Sequence, residues 1–462
     1  MGTVTRPLHP GAVRRKTSDD PAASSVSPQS NPAPPHSEPL SGAYFWLVVF
    51  FVVYCIRPED WVPGLHVIPL AKISGIFAAL ALFLSIGRSK RPIQQIPIEI
   101  WFTAALTVWL TISSLLSPVW RGGAFFKSLD FAKLLVAMVV GFLVVTSVTR
   151  LRRLLFVQAA SVVVIAAISF VTGHSHLRAY GLVGGMYENS NDLAFAIALT
   201  IPLCFAFALR SRSIVVKALW GGGSLAMLVT LFLTGSRGGA ITLAIATLVC
   251  LWHFGIQGKR PQLVLATIVA VVALFVLTGG VVAQRFSAMS GNVNDTFQQS
   301  AYESYRQRSL LIDLSLSALK DHPLFGLGTG DFEVYSGLWH EVHLAYLQVA
   351  VEGGIPAFLL YVGIFWCGYR NLRRLSRRSL DPETQLFAWA LHGTLIAFLI
   401  GALFSPDAYQ YFPFFTVMYI AALRATVEER SQPEWVPAAR DKRSKTLRFA
   451  GWRARAADSP PV

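Results

Sequence analysis

Residues 301–356 read AYESYRQRSLLIDLSLSALKDHPLFGLGTGDFEVYSGLWHEVHLAYLQVAVEGGIP and separate two long apolar runs. The first run ends near Ala283 and the second begins near Val342. Between them lies the densest collection of polar, charged and glycine residues in the apolar part of the chain. Because loops are polar by default, composition alone fits an inert connection as well as a functional segment. The arrangement of arginine, histidine and glycine residues in this stretch favours the functional interpretation.

The composition of the whole chain indicates a membrane protein. Hydrophobic residues make up 53% of the 462 residues and charged residues only 14%, with a mean hydropathy of +0.51. Soluble domains carry about 25% charged residues, so most of this chain is not solvated by water. The four cysteines stand far apart, in or beside apolar runs and without metal-site spacing, and are expected to be small buried side chains.

Apolar runs long enough to cross a bilayer recur along the sequence. A membrane helix needs about 20 mostly apolar residues, and an open sheet edge in lipid would leave backbone groups unpaired. Candidate spans lie near residues 43–56, 70–87, 98–116, 129–148, 153–172, 192–209, 214–233, 239–255, 262–283, 342–366, 386–404 and 408–424. The sequence therefore predicts an all-α, polytopic integral membrane protein of about twelve transmembrane helices, with one large outward loop containing a short amphipathic helix.

The same pattern divides the chain into five parts. Residues 1–41 are rich in Pro, Ser and Ala, lack the apolar core of a signal peptide, and are predicted to form a disordered cytoplasmic tail. Residues 42–283 are assigned to the first nine helices, residues 284–341 to a large periplasmic loop and residues 342–425 to the last three helices. Residues 426–462 are predicted to form a basic cytoplasmic tail.

The distribution of Lys and Arg predicts the orientation of the helices, because cytoplasmic segments carry an excess of these residues. With the N-terminus inside, about 29 of the 40 Lys and Arg fall on the inner side and about nine on the outer side. The inner side includes a cluster made of Arg370, Arg373, Arg374, Arg377 and Arg378. Both termini are therefore expected in the cytoplasm. Topology also explains the net charge of +15, so the lipid bilayer is an expected partner and nucleic acid is not.

Cations on the outer side run against this bias and are candidates for ligand binding. Headgroup contact or a local ion pair is the ordinary explanation for any one of them. Arg237 stands out because it lies in the short hairpin Thr234-Gly235-Ser236-Arg237-Gly238-Gly239. Glycines there allow backbone N–H groups and the guanidinium to face one ligand, and arginine suits bidentate contact with phosphate. The outward cations are Arg57, Arg121, Lys127, Arg178, Arg237, Arg285, Arg306, Arg308 and Lys320.

The outward loop 173–191 ends in polar residues that lead into the next helix. Asn191 or Asp192 is expected either to cap that helix or to bind sugar hydroxyls. Both interpretations suit a polar side chain at a helix entry, and the sequence does not separate them.

Within the loop 284–341, residues 306–320 predict an amphipathic helix that ends before Pro323. The apolar residues at helical spacing are Leu310, Leu311, Leu314 and Ala318. The glycines of the following Gly326-x-Gly328-x-Gly330 segment predict a flexible turn and no Walker loop, because no Gly-Lys-Ser/Thr follows. His340 and His343 approach the next helix, where a histidine is more often an interface residue than a catalytic one.

The chain resembles the O-antigen ligase and polymerase-like membrane proteins over roughly residues 178–366. Four segments carry the resemblance in the family's order. They are Glu188-Asn189-Ser190-Asn191-Asp192-Leu193-Ala194, Leu233-Thr234-Gly235-Ser236-Arg237-Gly238, Arg308 followed by His322-Pro323-Leu324-Phe325-Gly326-Leu327-Gly328, and His343-Leu344-Ala345-Tyr346-Leu347-Gln348 with Glu352 and Gly354-Ile355 beyond it. Leu344 departs from the pattern, since the family usually has asparagine there. This departure leaves His340 as an alternative to His343.

The resemblance implies glycan transfer on the outer face of the bacterial inner membrane, as in the biosynthesis of lipopolysaccharide or other envelope polysaccharides. The donor it implies is a glycan on polyprenyl (undecaprenyl) diphosphate, and the acceptor is a hydroxyl of lipid A-core, of a glycan or of a protein. It implies no metal and no other cofactor, and the sequence offers no carboxylate cluster for a metal. Direct displacement at the anomeric carbon would invert its configuration.

The resemblance also assigns roles to individual residues. Diphosphate is a good leaving group, so the enzyme needs cations to hold it and to stabilise developing charge. Arg237, Arg308 and Arg178 are the predicted diphosphate-binding residues, and His343 is the predicted general base for the acceptor hydroxyl. The residues assigned supporting roles are Glu341, His340, Asn191, His322, Gly326 and Gly328.

Other functions remain open at this point. A polymerase of the same family joins repeat units, whereas a ligase moves a glycan to a lipid or protein acceptor, and the sequence fits both. A transporter of lipid-linked glycan also fits about twelve helices, but it should place charges near mid-membrane, where Lys133 is the one candidate. An inactive scaffold is the remaining alternative.

Overall fold

The computed structural model describes residues 40–62, 64–89, 91–172, 187, 189–277, 296–338, 340–406 and 408–431. Within these ranges the chain is helical and contains no strand. Most of the two predicted tails, Arg178 and Arg285 lie outside the described residues.

Fifteen α-helices are present in the described ranges. They are α1 (Ser41–Ile56), α2 (Pro58–Trp61), α3 (Leu70–Ser85), α4 (Ile98–Leu115), α5 (Arg121–Val144), α6 (Val148–Thr172), α7 (Ser190–Arg210), α8 (Ile214–Thr234), α9 (Arg237–Cys250), α10 (Pro261–Leu277), α11 (Thr296–Asp321), α12 (Phe332–Ser336), α13 (Ala345–Leu375), α14 (Pro382–Gly401) and α15 (Tyr411–Ser431). A π-helical segment, Leu251–Gln257, continues α9.

Nine helices in the described part of the chain are long and apolar enough to cross a membrane. They include α1, α3, α4, α6, α7, α8, α9 with its π-helical continuation, α13 and α14. This confirms the predicted all-α, polytopic membrane protein. The other three predicted spans correspond to α5, α10 and α15, and the total of about twelve spans stays a prediction.

The helices differ in how deeply they are buried. In α7, 78% of the apolar span is buried inside the protein, against 17% in α3 and 22% in α8. α7 packs against α8, α9 and α14, while α13 packs against α4. α7 is therefore a central helix, and the exposed leucine, isoleucine and phenylalanine side chains of α3 and α8 face the lipid.

The helix of the large loop is longer than predicted, since α11 covers Thr296–Asp321. Its buried face is formed by Leu311, Ser315 and Ala318, which recur at helical spacing. Leu310 was expected on this face and instead is 48% exposed, because the face is centred one residue further along. A small apolar core joins α11 to its surroundings and consists of Leu311, Ala318, Leu327, Phe332, Val342 and Val351.

A buried arginine ties together the predicted inner ends of several helices. Arg91 is 1% exposed and its guanidinium donates to the carbonyl oxygens of Phe142 (2.7 Å) and Val145 (2.9 Å) at the end of α5. It also donates to Thr426 Oγ1 (2.9 Å) and forms an ion pair with Glu429 (2.6 Å) on α15. Because every partner lies on a different segment from Arg91, this side chain fixes the connection between α3 and α4 against the bundle.

Candidate functional site

The hairpin that carries Arg237 is a helix-capping turn. α8 ends at Thr234, Gly235 adopts φ 62°, and Ser236 caps α9 by accepting a hydrogen bond from the Gly239 N–H (3.2 Å). Arg237 is therefore the first residue of α9, where unpaired backbone N–H groups and the positive end of the helix dipole favour an anion. The half-buried guanidinium adds a full positive charge at the same place.

Asn191 supports this turn and does not cap its own helix. α7 begins at Ser190 and is capped by Asn189, whose side-chain oxygen accepts from the Asn191 N–H (2.9 Å). The prediction that Asn191 or Asp192 caps the helix is therefore wrong, because polar residues extend the first turn beyond the apolar pattern. The Asn191 side-chain oxygen instead accepts a hydrogen bond from the Ser236 hydroxyl (2.9 Å), which links α7 to the Arg237 turn.

The two glycines after Arg237 allow close packing. A Cβ at Gly239 would lie 2.5 Å from Ala194 Cβ on α7, and a Cβ at Gly238 would lie 3.0 Å from Phe404 Cβ. Phe404 belongs to the segment 402–406, which follows α14. The start of α9 is therefore held directly against both α7 and this segment.

The same segment also holds the start of α13, next to His343. The Ala345 N–H, the first of α13, donates to the Ala402 carbonyl (2.8 Å). Leu344 occupies the N-cap position and makes no side-chain cap. An asparagine at this position could accept from the second or third N–H of the helix, whereas the Ala402 carbonyl accepts from the first. Arg237 and His343 therefore lie at one end of the bundle, on helices joined through residues 402–406.

His343 is half-buried and close to Arg308. Burial first, then the charge of Arg308 and the neighbouring His340, lower the pKa of His343 from 6.5 to about 4. Its Nδ1 is buried and has no hydrogen-bond partner among the described residues. The imidazole is therefore neutral at pH 7 and able to accept a proton. His340 is exposed, whereas His343 is half-buried.

The glycine-rich segment between α11 and α12 packs into a break in α13. The break lies at Gly354 (φ 74°, ψ −179°), and a Cβ there would overlap the Leu324 carbonyl. The Leu327 and Gly328 N–H groups donate to the Val351 and Glu352 carbonyls (both 2.9 Å). Gly326 and Gly328 therefore serve a close backbone contact, consistent with their positive φ angles, and His322 contributes backbone hydrogen bonds at the end of α11.

α4 and the start of α5 hold the other side of this segment. The Ser113 hydroxyl lies between the Phe325 and Glu352 carbonyls and hydrogen-bonds to both. Asp331 accepts from the Ser117 hydroxyl (2.5 Å) and from the Trp120 N–H (3.1 Å). These contacts fix the end of α11, and with it the helix that carries Arg308, relative to α4 and α13.

Two further polar residues lie near this end of α13 and were not assigned from the sequence. Glu352 is 1% exposed, and Tyr409 lies close to its carboxylate without completing a hydrogen bond in this geometry. Burial, followed by the neighbouring Glu352 carboxyl group, raises the pKa of Tyr409 well above its usual value, so its hydroxyl stays protonated. Glu352 stands in the segment that carries the resemblance, but no sequence pattern connects it with Tyr409.

Positive charge at this end of the bundle comes from arginine side chains. Among the residues that the structure describes, no three His, Cys, Asp or Glu side chains come together to hold a metal ion. Arg308 lies beside His343, Arg237 lies on the adjoining helix start, and Glu341 and His340 are exposed nearby. An anionic group bound here would be met by guanidinium groups and by the N-terminus of α9.

Comparison with known protein families found a match to the family described as O-antigen ligase, over residues 222–362. This region contains the Arg237 turn, Arg308, the glycine-rich segment and His343, while Asn191 and residues 402–406 lie outside it. A search of curated proteins found no match. Members of the matching family are membrane enzymes that act as ligases or polymerases. Residues 222–362, less than half of the chain, are thus similar to the family described as O-antigen ligase, and this similarity covers the part that carries Arg237, Arg308 and His343.

Proposed function

We propose that the protein is a glycosyltransferase that moves a glycan from a polyprenyl diphosphate carrier to an acceptor hydroxyl on the periplasmic face of the inner membrane. The observation that carries this proposal is the placement of Arg308 beside a neutral, half-buried His343. Arg237 lies at the same end of the bundle, because residues 402–406 contact both the start of α9 and the start of α13. Two arginines and one neutral imidazole are the groups that such a transfer needs.

The arginines would bind the diphosphate of the donor. Diphosphate departs with its negative charge, so the transition state carries more charge on the leaving oxygen than the ground state does. Arg237 at the first position of α9 and Arg308 on α11 supply cations from two directions. Removal of one such group from a charge-stabilising site typically costs about 10²–10³ in rate.

His343 would accept the proton of the acceptor hydroxyl. As the hydroxyl oxygen forms its bond to the anomeric carbon, the bond from that carbon to the diphosphate oxygen breaks and the hydroxyl proton passes to the imidazole. The carrier leaves as polyprenyl diphosphate, and the configuration at the anomeric carbon is inverted. A bound diphosphate would also compensate the charge of Arg308, so the pKa of His343 would rise and the base would strengthen only when the donor is present.

The proposal is tested by deleting the gene and analysing the polyprenyl-linked glycans of the membrane. Restored strains carry the wild type, Arg237→Ala, His343→Ala or Arg306→Ala. Arg306 is an exposed arginine two residues from Arg308 on the same helix, so Arg306→Ala is the matched control. Accumulation of long lipid-linked glycan in the Arg237 and His343 strains supports a ligase, and accumulation of single repeat units supports a polymerase. An unchanged lipid pool in all strains contradicts glycan transfer.

The proposed face of the membrane has a separate test. All four native cysteines are buried, so a single new cysteine can be labelled without removing them. We expect Arg306→Cys on α11 to react with a membrane-impermeant maleimide in spheroplasts. Arg374→Cys on α13 should react only after the membrane is permeabilised, because Arg374 lies in the arginine cluster predicted to be cytoplasmic. The reverse labelling pattern would place the site on the cytoplasmic face.

A further inference from the structure

A second polar cavity lies at the opposite end of α9 from Arg237. His253 in the π-helical continuation is sixteen residues beyond Arg237, or about 24 Å at 1.5 Å per residue. The cavity has a volume of about 460 Å³ and is lined by this segment, α13 and α14. That volume lies within the range of roughly 300–1,000 Å³ typical of small-molecule sites, and π-helical segments often occur at functional sites. None of its lining residues belongs to the site around His343.

Two histidines of the cavity lie within hydrogen-bond distance of each other. His253 Nε2 lies 2.7 Å from His392 Nδ1, and His253 Nδ1 lies 2.8 Å from Gln257 Oε1. With the Gln257 oxygen accepting from His253 Nδ1–H, His253 Nε2 has to accept the proton of His392 Nδ1–H. This arrangement leaves His392 Nε2 as the ring nitrogen that can gain a proton. Once protonated there, His392 becomes a donor to an anion.

Arg373 supplies the full positive charge of the cavity. Its guanidinium lies over the Tyr369 ring at 5.4 Å, and Tyr369 stacks on His392 with ring centroids 6.0 Å apart. Arg152, Arg210, Arg378, Arg424 and Arg430 each pair with a carboxylate. Within the described ranges Arg373 forms no ion pair, and no carboxylate lines the cavity. The titratable or charged lining residues are His253, His392, Arg373 and Tyr369.

We propose that this cavity binds the phosphate group of an anionic ligand through Arg373 and His392, with uptake of one proton by His392. Gln385 and Ser376 also line the cavity and add neutral polar groups. A phosphate monoester on a lipid and free phosphate share this chemistry. Exposed apolar side chains on the same helices, Trp252 (54%) and Trp366 (61%), suit a lipid whose chains lie along the bundle. The proposal doesn't depend on glycan transfer, since it concerns other residues at the other end of α9.

Isothermal titration calorimetry on the full chain, purified in neutral detergent and freed of lipid, tests this inference. The ligands are dihexanoyl phosphatidic acid, inorganic phosphate and dihexanoylglycerol, and no glycan donor is present. The variants are Arg373→Gln and His392→Gln, with Arg374→Gln as the matched control. Arg374 is exposed on the same helix and does not line the cavity. Unchanged gel-filtration profiles and ligand-free melting temperatures show that each variant is folded.

We expect phosphatidic acid to bind the wild type and Arg374→Gln equally, and Arg373→Gln at least about tenfold more weakly, because a charge-assisted hydrogen bond is lost. Titrations in buffers of different ionisation enthalpy should show proton uptake that His392→Gln removes. Phosphatidic acid binding more tightly than inorganic phosphate identifies a lipid ligand, and equal binding identifies free phosphate. Equal binding of dihexanoylglycerol, no binding of either phosphate ligand, or wild-type affinity in Arg373→Gln would overturn the proposal.

Discussion

Replacing Arg308 with glutamine should change both the rate and the pH dependence of the proposed transfer. In the intact protein the pKa of His343 is lowered from 6.5 to about 4, so only about one imidazole in a thousand is protonated at pH 7. This difference corresponds to roughly 3 kcal/mol against the protonated imidazole. Burial is its largest cause and the charge of Arg308 the next. Removal of that charge therefore returns the pKa only part of the way towards 6.5.

The assay is kcat/KM for glycan transfer in proteoliposomes between pH 4 and pH 8. The acidic limb of this profile reports the pKa of the base in the free enzyme. We expect the wild type to keep full activity down to about pH 5. Arg308→Gln should lose about 10²–10³ of kcat/KM at pH 7, because a cation for the diphosphate is gone. Its acidic limb should also move to higher pH, since the unprotonated imidazole is lost earlier as pH falls.

Arg306→Gln is the control, because it removes the same charge from an exposed position on the same helix. It should retain the rate and the acidic limb of the wild type. Two results would refute the reasoning. An acidic limb that stays in place in Arg308→Gln would show that Arg308 does not act on His343. Equal losses in the Arg306 and Arg308 variants would show that general surface charge, and no specific contact, is responsible.

Four further predictions concern stability and positioning. Ser236→Ala removes the cap of α9 and the link to α7. It should lower the free energy of unfolding, measured by chemical denaturation, by about 1 kcal/mol. The transfer rate should also fall, because the turn that carries Arg237 is held less firmly. In Gly354→Ala the new methyl group would overlap the Leu324 carbonyl, and the backbone φ there is positive. The melting temperature should therefore fall far more than in Gly337→Ala, where the φ is also positive but the surrounding space is open. Equal effects would mean that the break in α13 tolerates a side chain. The wild type should lose stability as the pH falls from about 6.5 to 4, because His343 takes up a proton in the unfolded chain over this range but in the folded chain only near pH 4. His343→Gln should not show this loss. Denaturation free energies that change with pH in the same way for both proteins would contradict this. Arg91→Met should destabilise the protein by roughly 2–4 kcal/mol in denaturation experiments, since it leaves buried carbonyl groups unpaired, and a loss within about 0.5 kcal/mol would show that water replaces the guanidinium.

The membrane fold follows from sequence because a bilayer demands apolar runs of limited length. Helix limits follow less well, since polar residues near a membrane surface do not end a helix. α5 begins at Arg121, ahead of the predicted span near residue 129, and the ion pair between Lys133 and Asp130 lies within it. α13 continues beyond the predicted span near residues 342–366 and ends at Leu375. The length of an apolar run indicates only the part of a helix that lies in lipid, so the polar extensions of α5 and α13 are missed.

The candidate site was only partly accessible from sequence. Arg237, Arg308 and His343 were found because they stand in short motifs, and their roles stay predictions. Their supports come from tertiary contacts that no local pattern shows, such as the Ala402 carbonyl at the start of α13. Tyr409 was missed for the same reason. Arg373 was assigned to topology alone, because its counterpart His392 lies on another helix.

The attachment of the glycine-rich segment to α4 has a consequence for how such sequences can change. Asp331 accepts from the Ser117 hydroxyl, and the Ser113 hydroxyl bridges the Phe325 and Glu352 carbonyls. A substitution that removes the Asp331 carboxylate therefore leaves the hydroxyl at position 117 without its acceptor, although more than two hundred residues separate the two positions. Homologues should exchange these positions together. A chimaera that receives the segment from α11 to α12 of a relative should assemble only if the matching serines of α4 and the loop before α5 are transferred with it.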